Sequence, residues 1–136
     1  METFSRETLD PWFVSGFADG QANFTFSRSG RQTALYFAIK AAAGDDILEL
    51  IQQFFGGAGR IYGVTERTRM YRITRADELR RVVEHFDRYP LRSAKRDSYQ
   101  LWREMVELKI EFRRGSKEAL QALATRLSSR GAHGQN

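Results

Sequence analysis

Cysteine and histidine, two residue types that often act as nucleophile, general base or metal ligand, are scarce in this chain. Its 136 residues include no cysteine, and its two histidines are His85 and His133. Without cysteine the chain has neither a disulfide framework nor a thiolate metal site, and two histidines alone do not form a zinc cluster. Any metal chemistry must therefore use oxygen ligands.

Basic residues outnumber acidic ones. The 22 lysines and arginines stand against 17 aspartates and glutamates, which gives a net charge of +5 at pH 7 and a pI near 9.9. This excess favours an anionic partner, although charge alone fits DNA, RNA and a membrane surface equally well. The sequence has no apolar run near the roughly 20 residues that span a bilayer, and its N-terminus lacks a signal-peptide pattern. We expect a cytoplasmic or organellar-matrix protein, not secreted and with no membrane partner.

The first element that could position functional residues is a short apolar helix. Asp10 can cap it and Pro11 suits its first position, so the pattern predicts a helix over Pro11–Ala18 that stops at Asp19-Gly20. The segment is almost wholly apolar and contains Gly16 among other small residues. Small residues let a second backbone approach closely, so a partner copy of the same helix is a plausible neighbour.

Alternating hydrophobicity then predicts two hairpins. In residues 23–28 Phe24 and Phe26 share one face, and in residues 32–40 Leu35, Phe37 and Ile39 point inward. Helical spacing predicts the remaining helices, and Asp45 or Asp46 caps the first of them. The remaining predicted elements are a helix ending at Gly56-Gly57, strands 60–64 and 68–74, and helices 77–86, 93–113 and 117–127. The length predicts a single domain over residues 1–127, and we expect the polar tail 128–136 to be disordered.

One segment resembles a known family motif. Residues 14–22, followed by Asn23-Phe24, are similar to the LAGLIDADG motif of homing endonucleases, a helix ending in G-F-x-D-G-E-G-S-F. Further landmarks occur in the family's order, over residues 10–127. They are Phe37-x-Ile39, Asp46-Ile47-Leu48-x-Leu50-Ile51, Phe55-Gly56-Gly57-x-Gly59-x-Ile61, Tyr71-Arg72-Ile73 and Tyr89-Pro90-Leu91-Arg92-Ser93-Ala94-Lys95.

The resemblance implies an α+β fold of order α-β-β-α-β-β-α, with a four-stranded antiparallel DNA-binding saddle and extra C-terminal helices. Because the chain has one copy of the motif, it also implies a homodimer that binds a pseudo-palindromic site in double-stranded DNA. The motif helices would then pack at the two-fold axis through Trp12, Phe13, Gly16 and Phe17.

The resemblance also implies a catalytic site, from which this sequence departs. Family members bind Mg²⁺ through an acid at the position of Gln21, next to the backbone carbonyl of Gly20. A neutral amide supplies no charge to hold the cation, so we expect cleavage to be lost or strongly impaired. The family's active-site lysine is retained as Lys95, whereas a polar residue of the second strand falls at about Ala41. Asp19 matches the motif's structural acid, which satisfies backbone N–H groups at the helix end.

In this family the polar face of the saddle enters the major groove, where side chains pair with base edges and backbone phosphates. The residues that the resemblance assigns to DNA contacts lie on that face, in the first hairpin turn or at the start of the fourth helix. They are Asn23, Thr25, Ser27, Arg28, Arg31, Gln32, Tyr36, Lys40, Arg60, Tyr62, Val64, Met70, Arg72, Arg92 and Arg96.

Three functions remain open from the sequence. The first is sequence-specific DNA binding on an endonuclease fold without cleavage. The second is a metal-dependent homing endonuclease silenced or weakened at Gln21, since a Glu-to-Gln exchange is also the usual deliberate way to inactivate such an enzyme. The third is an RNA-binding splicing cofactor, which some family members become.

Overall fold

The computed structural model of the protein describes residues 8–111 and 117–134. The described elements are helices and strands in the predicted order. They are α1 (Pro11–Gln21), β1 (Ala22–Ser29), β2 (Gln32–Ala42), α2 (Ile47–Phe54), β3 (Arg60–Gly63), β4 (Thr68–Ile73), α3 (Ala76–Arg88), α4 (Lys95–Glu111) and α5 (Lys117–Gly134). The α-β-β-α-β-β-α order with two further C-terminal helices is therefore confirmed. None of the helices in these residues combines the length and apolar character of a membrane span.

Helix α1 begins as predicted and ends later. Asp10 accepts a hydrogen bond from the backbone N–H of Trp12 at 3.3 Å, and Pro11 occupies the first turn. The helix continues past Gly20 to Gln21, and the N–H of Ala22 still bonds to the carbonyl of Ala18. The predicted stop at Asp19-Gly20 is wrong, because contacts from elsewhere in the fold support the last turn. Gln21 is consequently the final helical residue, directly before β1.

The four strands form one antiparallel sheet in the order β1-β2-β4-β3. Gly30, at φ 62°, supplies the left-handed conformation of the two-residue turn between β1 and β2. Helix α2 crosses over so that β4, and not β3, pairs with β2. Asp46 occupies the N-cap position of α2, and the side chain of the preceding Asp45 accepts from the N–H of Ile47 at 2.9 Å.

The core lies between the helices and one face of the sheet. Phe24 packs edge-on against Phe86 and Trp102, with ring centroids 5.3 and 5.2 Å apart. The indole N–H of Trp102 also donates to the carbonyl of Thr25 at 3.0 Å, and the ammonium of Lys109 donates to the carbonyl of Thr33. Helix α4 thereby fixes the β1-β2 hairpin from its inner side and leaves its outer side open.

The C-terminal helices differ from their predicted bounds. Helix α4 begins at Lys95 and is described to Glu111, so residues 112–113 of the predicted helix lie outside the described residues. Helix α5 continues to Gly134, and residues 128–134 are helical where we expected a disordered tail. The helix packs on α4 through Leu123 and Leu127, and Arg130 pairs with Asp97 at 3.2 Å, which supports the next turn. Residues 135–136 lie outside the described residues.

Candidate nucleic-acid interface

The sheet presents one face away from the helices, which we call the outer face. Strand alternation and register place its side chains in rows across the four strands. One row contains Asn23, Ala38, Arg72 and Arg60, because Asn23 pairs with Ala38, Ala38 with Arg72, and Arg72 with Arg60. The next row contains Lys40, Met70 and Tyr62. The outer face is therefore a continuous surface to which all four strands contribute.

All the charged side chains in the described strands are basic. None of the four described strands contains an aspartate or a glutamate. The basic residues in the strands are Arg28, Lys40, Arg60, Arg69 and Arg72. Of these residues Lys40, Arg60 and Arg72 lie on the outer face, and since the strands contain no acid that would neutralise them, this face suits an anionic ligand.

Arg72 and Arg69 lie on opposite faces of β4 and have different partners. Arg69 forms two hydrogen bonds to Glu49, at 2.7 and 2.8 Å, and one to the carbonyl of Asp45. Arg72 has no acidic partner among the described residues. Its guanidinium stacks over the ring of Tyr36 at 4.1 Å and lies 5.7 Å from the ring of Tyr62. Arg69 stabilises the fold, whereas the donors of Arg72 remain available on the outer face.

Most of the residues that the sequence assigned to DNA contacts lie on the outer face or at its ends. Arg31 is in the β1-β2 turn, and Val64 is exposed just beyond the end of β3, not within it. The outer-face members in the strands are Asn23, Thr25, Ser27, Gln32, Tyr36, Lys40, Arg60, Tyr62, Met70 and Arg72.

The position of Arg28 differs from the prediction. It was expected in the hairpin turn, but it is a residue of β1 opposite Thr33. Alternation places it on the same face as Phe24 and Phe26, and its guanidinium lies 5.5 Å from the ring of Phe26. Arg28 therefore lies on the helical side of the hairpin tip and not on the outer face.

Ala41 also differs from its expected place. It alternates with Lys40 and Ala42, pairs with Arg69, and packs against the core. A residue at this position points to the helices, so it does not take part in a site at the outer face. The outer-face residues at this end of β2 are Lys40 and Ala42.

The end of α1 meets the start of α4 through two groups of hydrogen bonds. Asp19 accepts from the backbone N–H groups of Arg92 at 2.7 Å and Ser93 at 3.1 Å, and from the hydroxyl of Ser93. Lys95 donates its ammonium to the carbonyls of Ala18 and Ala22. Asp19 thus satisfies backbone N–H groups as the resemblance implied, but they belong to the segment before α4 and not to its own helix.

These contacts shift the pKa of both ionisable groups. Burial alone would raise the pKa of Asp19, but the hydrogen bonds from Ser93 and Arg92, together with the charge of Lys95, lower it. Burial lowers the pKa of Lys95, and the charge of Asp19 offsets part of that effect. The side chains of Asp19 and Lys95 both join α1 to the start of α4.

The residues at the end of α1 do not fit a tightly held Mg²⁺ ion. Gln21 and Gly20 are exposed there and offer a neutral amide and a neutral carbonyl. The carboxylate of Asp19 is occupied by three donors, and the described residues contain no group of three or more His, Cys, Asp or Glu that could hold a metal. A hard divalent cation needs anionic oxygen ligands, which this arrangement does not offer. Arg92 and Arg96 are exposed nearby and add positive charge.

The predicted interface side of α1 is open. The side chains of Trp12 and Phe13 are 51% and 46% exposed, and Phe17 is half-buried beside Phe13. A Cβ added at Gly16 or Gly20 would meet nothing within 4 Å. The four residues expected at the dimer axis therefore leave an apolar surface uncovered within the described residues of the chain.

The opposite side of α1 contains a buried polar cluster that the sequence did not predict. The hydroxyl of Ser15 donates to the carbonyl of Tyr89 at 2.6 Å, so it accepts from Nε2–H of His85 at 3.0 Å. Burial lowers the pKa of His85 to about 4, so the imidazole is neutral at pH 7. This cluster joins α1 to the end of α3.

Sequence reasoning missed two other site residues. The first is Ser93, which the sequence analysis named only within a family landmark. Its hydroxyl accepts a hydrogen bond from the N–H of Lys95. A serine just before a helix is a common N-terminal cap, so this role could have been predicted. Thr68 lies on the outer face opposite Ala42. The alternation of Met70 and Arg72 could have been extended by one step to find it.

Comparison with known proteins agrees with this architecture. The family model of the LAGLIDADG endonucleases matches residues 14–106. The chain is 34% identical over 116 residues to an uncharacterised 50.9 kDa protein in ND4 intron 1 of Podospora anserina, an alignment that covers 78% of this chain and 26% of that protein. The chain thus spans about a quarter of the length of this curated relative.

Two solved structures are similar as well. The LAGLIDADG meganuclease I-AabMI bound to uncleaved DNA has a TM-score of 0.78 and 31% identity, over 85% of this chain and 42% of its own. The homing endonuclease I-TnaI has a TM-score of 0.79 and 25% identity, over 88% of each chain. With the sequence match over residues 14–106, these similarities show that the chain belongs to the LAGLIDADG endonuclease family.

Proposed function

We propose that this protein is a sequence-specific binder of double-stranded DNA that acts as a homodimer and cleaves its site weakly or not at all. The observation that carries DNA binding is the sheet without acids, whose outer face presents Arg72, Arg60, Lys40 and Asn23 in adjoining rows. Arginine, lysine and asparagine are the side chains that pair with base edges and phosphates in the major groove. I-AabMI, which has the same fold, is bound to DNA in its solved structure.

The homodimer is supported by the exposed side of α1. Two large aromatic side chains at about half exposure form an apolar patch, which monomeric proteins usually cover. Gly16 and Gly20 are four residues apart on this side, and the open space over them admits a second helix at short range. A symmetric pair of α1 helices would place two outer faces side by side and so match a pseudo-palindromic duplex.

The loss of cleavage is supported by the donor set at the end of α1. Gln21 is neutral, and Asp19 is engaged by Arg92 and Ser93. Two such chains would bring amides, not carboxylates, to the dimer axis. The site then lacks the negative charge that concentrates divalent cations between two phosphodiesters.

A competition gel shift tests DNA binding. A randomised pool of duplex DNA and a pool of structured RNA of equal length compete for the protein at several salt concentrations. We expect retention of duplex DNA, with an affinity that falls steeply as salt rises because basic side chains displace counterions from phosphates. Preferential retention of the RNA pool would instead favour the splicing-cofactor function.

A charge-matched pair of variants locates the surface. The double variant Lys40→Ala/Arg60→Ala removes two cations from the outer face, and Arg80→Ala/Arg126→Ala removes two exposed cations from helices α3 and α5. The first should lower the slope of log affinity against log salt by about 1 for each phosphate that is no longer neutralised, and the second should leave it unchanged. Equal effects of the two variants would mean that the outer face is not the binding surface.

A further inference from the structure

Arg72 occupies the centre of the outer face. It belongs to β4, which has a neighbouring strand on each side, so Arg72 is flanked by Ala38 of β2 and Arg60 of β3. The ring of Tyr36 lies 4.1 Å from its guanidinium carbon and the ring of Tyr62 lies 5.7 Å from it. Stacking on two aromatic rings restricts the orientation of the guanidinium before any ligand arrives.

The hydrogen-bonding capacity of Arg72 is almost unused. A guanidinium has five N–H donors, yet within the described chain Nε of Arg72 is buried without a partner, and its terminal nitrogens reach only the sulfur of Met70, at 4.0 Å. Nε of Arg69 is likewise unpartnered, but its terminal nitrogens bind Glu49 and Asp45. Unsatisfied buried donors are rare in native proteins and call for an explanation.

Fold stability does not explain this arrangement. Arg60 lies directly opposite Arg72 on the neighbouring strand, and like charges at opposed positions destabilise a sheet. An acid on a neighbouring strand would relieve the repulsion, but the described strands contain none. A ligand that accepts hydrogen bonds at the centre of the outer face would supply partners for the terminal nitrogens of Arg72 and negative charge beside both arginines.

We propose that Arg72 is a specificity-determining residue that reads a guanine in the major groove, held in position by Tyr36 and Tyr62. This inference rests on the proposed function. Guanine presents two acceptors, O6 and N7, to the major groove, and an arginine fork can donate to both. The residue beside Arg72 on β2 is Ala38, whose small, buried side chain adds no bulk to this part of the outer face.

The position of Arg72 favours a base over a phosphate. A duplex seated on the sheet brings its base edges to the middle of the outer face and its phosphates to the rim. Arg60 is exposed on the edge strand β3 and suits a phosphate, although it belongs to the same row. Arg60 is therefore the matched control for Arg72, with the same side chain and charge one strand away.

Selection from a randomised duplex library tests the proposal. The wild type should enrich a site with guanine at one pair of symmetry-related positions, preferred about 10- to 100-fold over other bases. Arg72→Ala should lose this preference and keep the others, and Arg72→Gln should shift it from guanine to adenine, because glutamine pairs with N6 and N7 of adenine. Arg60→Ala should weaken binding to all sequences alike.

Tyr36 supplies a readout of positioning. Tyr36→Ala should weaken the same guanine preference, and Tyr36→Phe, which keeps the ring, should restore it. If the wild type enriches no duplex sequence, the proposed function itself fails. If it enriches a site but Arg72→Ala keeps every base preference, or weakens all sequences equally as Arg60→Ala does, DNA binding stands and the guanine assignment is wrong.

Discussion

The ammonium of Lys95 lies 2.6 Å from the carbonyl oxygen of Ala22 and 3.3 Å from that of Ala18. Both carbonyls are at the C-terminal end of α1, where positive charge is favourable, and the carbonyl of Ala18 also accepts from the N–H of Ala22. Asp19, Gly20 and Gln21 lie between these two residues, so Lys95 contacts the turn of α1 that contains Gln21. The family resemblance assigned Lys95 to a catalytic site, whereas its contacts in the fold join the end of α1 to α4.

The first prediction follows from this contact. Lys95→Met removes the charged donor and leaves two carbonyls without it, so the free energy of unfolding should fall by about 1–3 kcal/mol. Urea denaturation at pH 7 measures this change in the free energy of unfolding. Arg96→Met is the control, because it removes the same positive charge from a side chain that is exposed. Equal stabilities of the two variants would contradict the helix-end role of Lys95.

The sequence predicted the sheet well because its signal is local. Alternation at Phe24, Leu35, Phe37 and Ile39 is enough to assign the inner face, and once that face is assigned the outer residues follow from a period of two. A burial pattern of this kind needs no knowledge of the rest of the chain. The same alternation applied without exception would have placed Arg28 correctly on the inner side.

Helix ends and site contacts were predicted less well because they depend on residues far apart in sequence. The last turn of α1 is supported by Lys95, and the turn of α5 beyond Leu127 is supported by the pair of Arg130 with Asp97. The partners of Asp19 lie more than seventy residues away. No local pattern at Gly20 or Leu127 contains this information.

The second prediction concerns pH. The pKa of His85 falls from 6.5 to about 4 on burial, so the unfolded chain binds a proton more readily than the folded chain between these values. The stabilising contribution of neutral His85 is therefore present above pH 6.5, declines as the pH falls from 6.5 to 4, and is lost below pH 4. When the pH is lowered from 7 to 4.5, His85 alone should reduce the free energy of unfolding by about 2–3 kcal/mol.

A variant isolates this contribution from the carboxylates that also titrate in acid. His85→Gln removes the titrating group and keeps a donor for Ser15. Urea denaturation at pH 7 and 4.5 should show a smaller loss of stability in His85→Gln than in the wild type. Identical pH dependence of the two proteins would show that His85 titrates near its ordinary pKa.

The third prediction tests the open side of α1. Gly16→Leu adds a side chain where a Cβ meets nothing within 4 Å, so it should leave the fold of one chain intact and obstruct a partner helix. Sedimentation should show a dimer for the wild type and a monomer for Gly16→Leu at micromolar concentration. Gln53→Leu, at an exposed position of α2, is the control and should remain dimeric. A wild-type monomer would contradict the homodimer.

The last prediction concerns cleavage. A plasmid that contains a site enriched by the wild type should be bound by the protein in Mg²⁺ with little or no cutting, because Gln21 supplies no charge and Asp19 is engaged by Arg92 and Ser93.

Gln21→Glu places a carboxylate at the exposed end of α1, and a symmetric dimer would bring two of them together. Metal-dependent double-strand cutting by Gln21→Glu, abolished by EDTA, would show that one neutral side chain silences the site. Gln21→Met, which has a similar size and no charge, should stay inactive. Tight binding without cutting by Gln21→Glu would mean that other parts of the site have been lost as well. Efficient cutting by the unchanged protein would contradict the proposed loss of cleavage, and Asp19→Asn would then reveal whether that acid holds the metal.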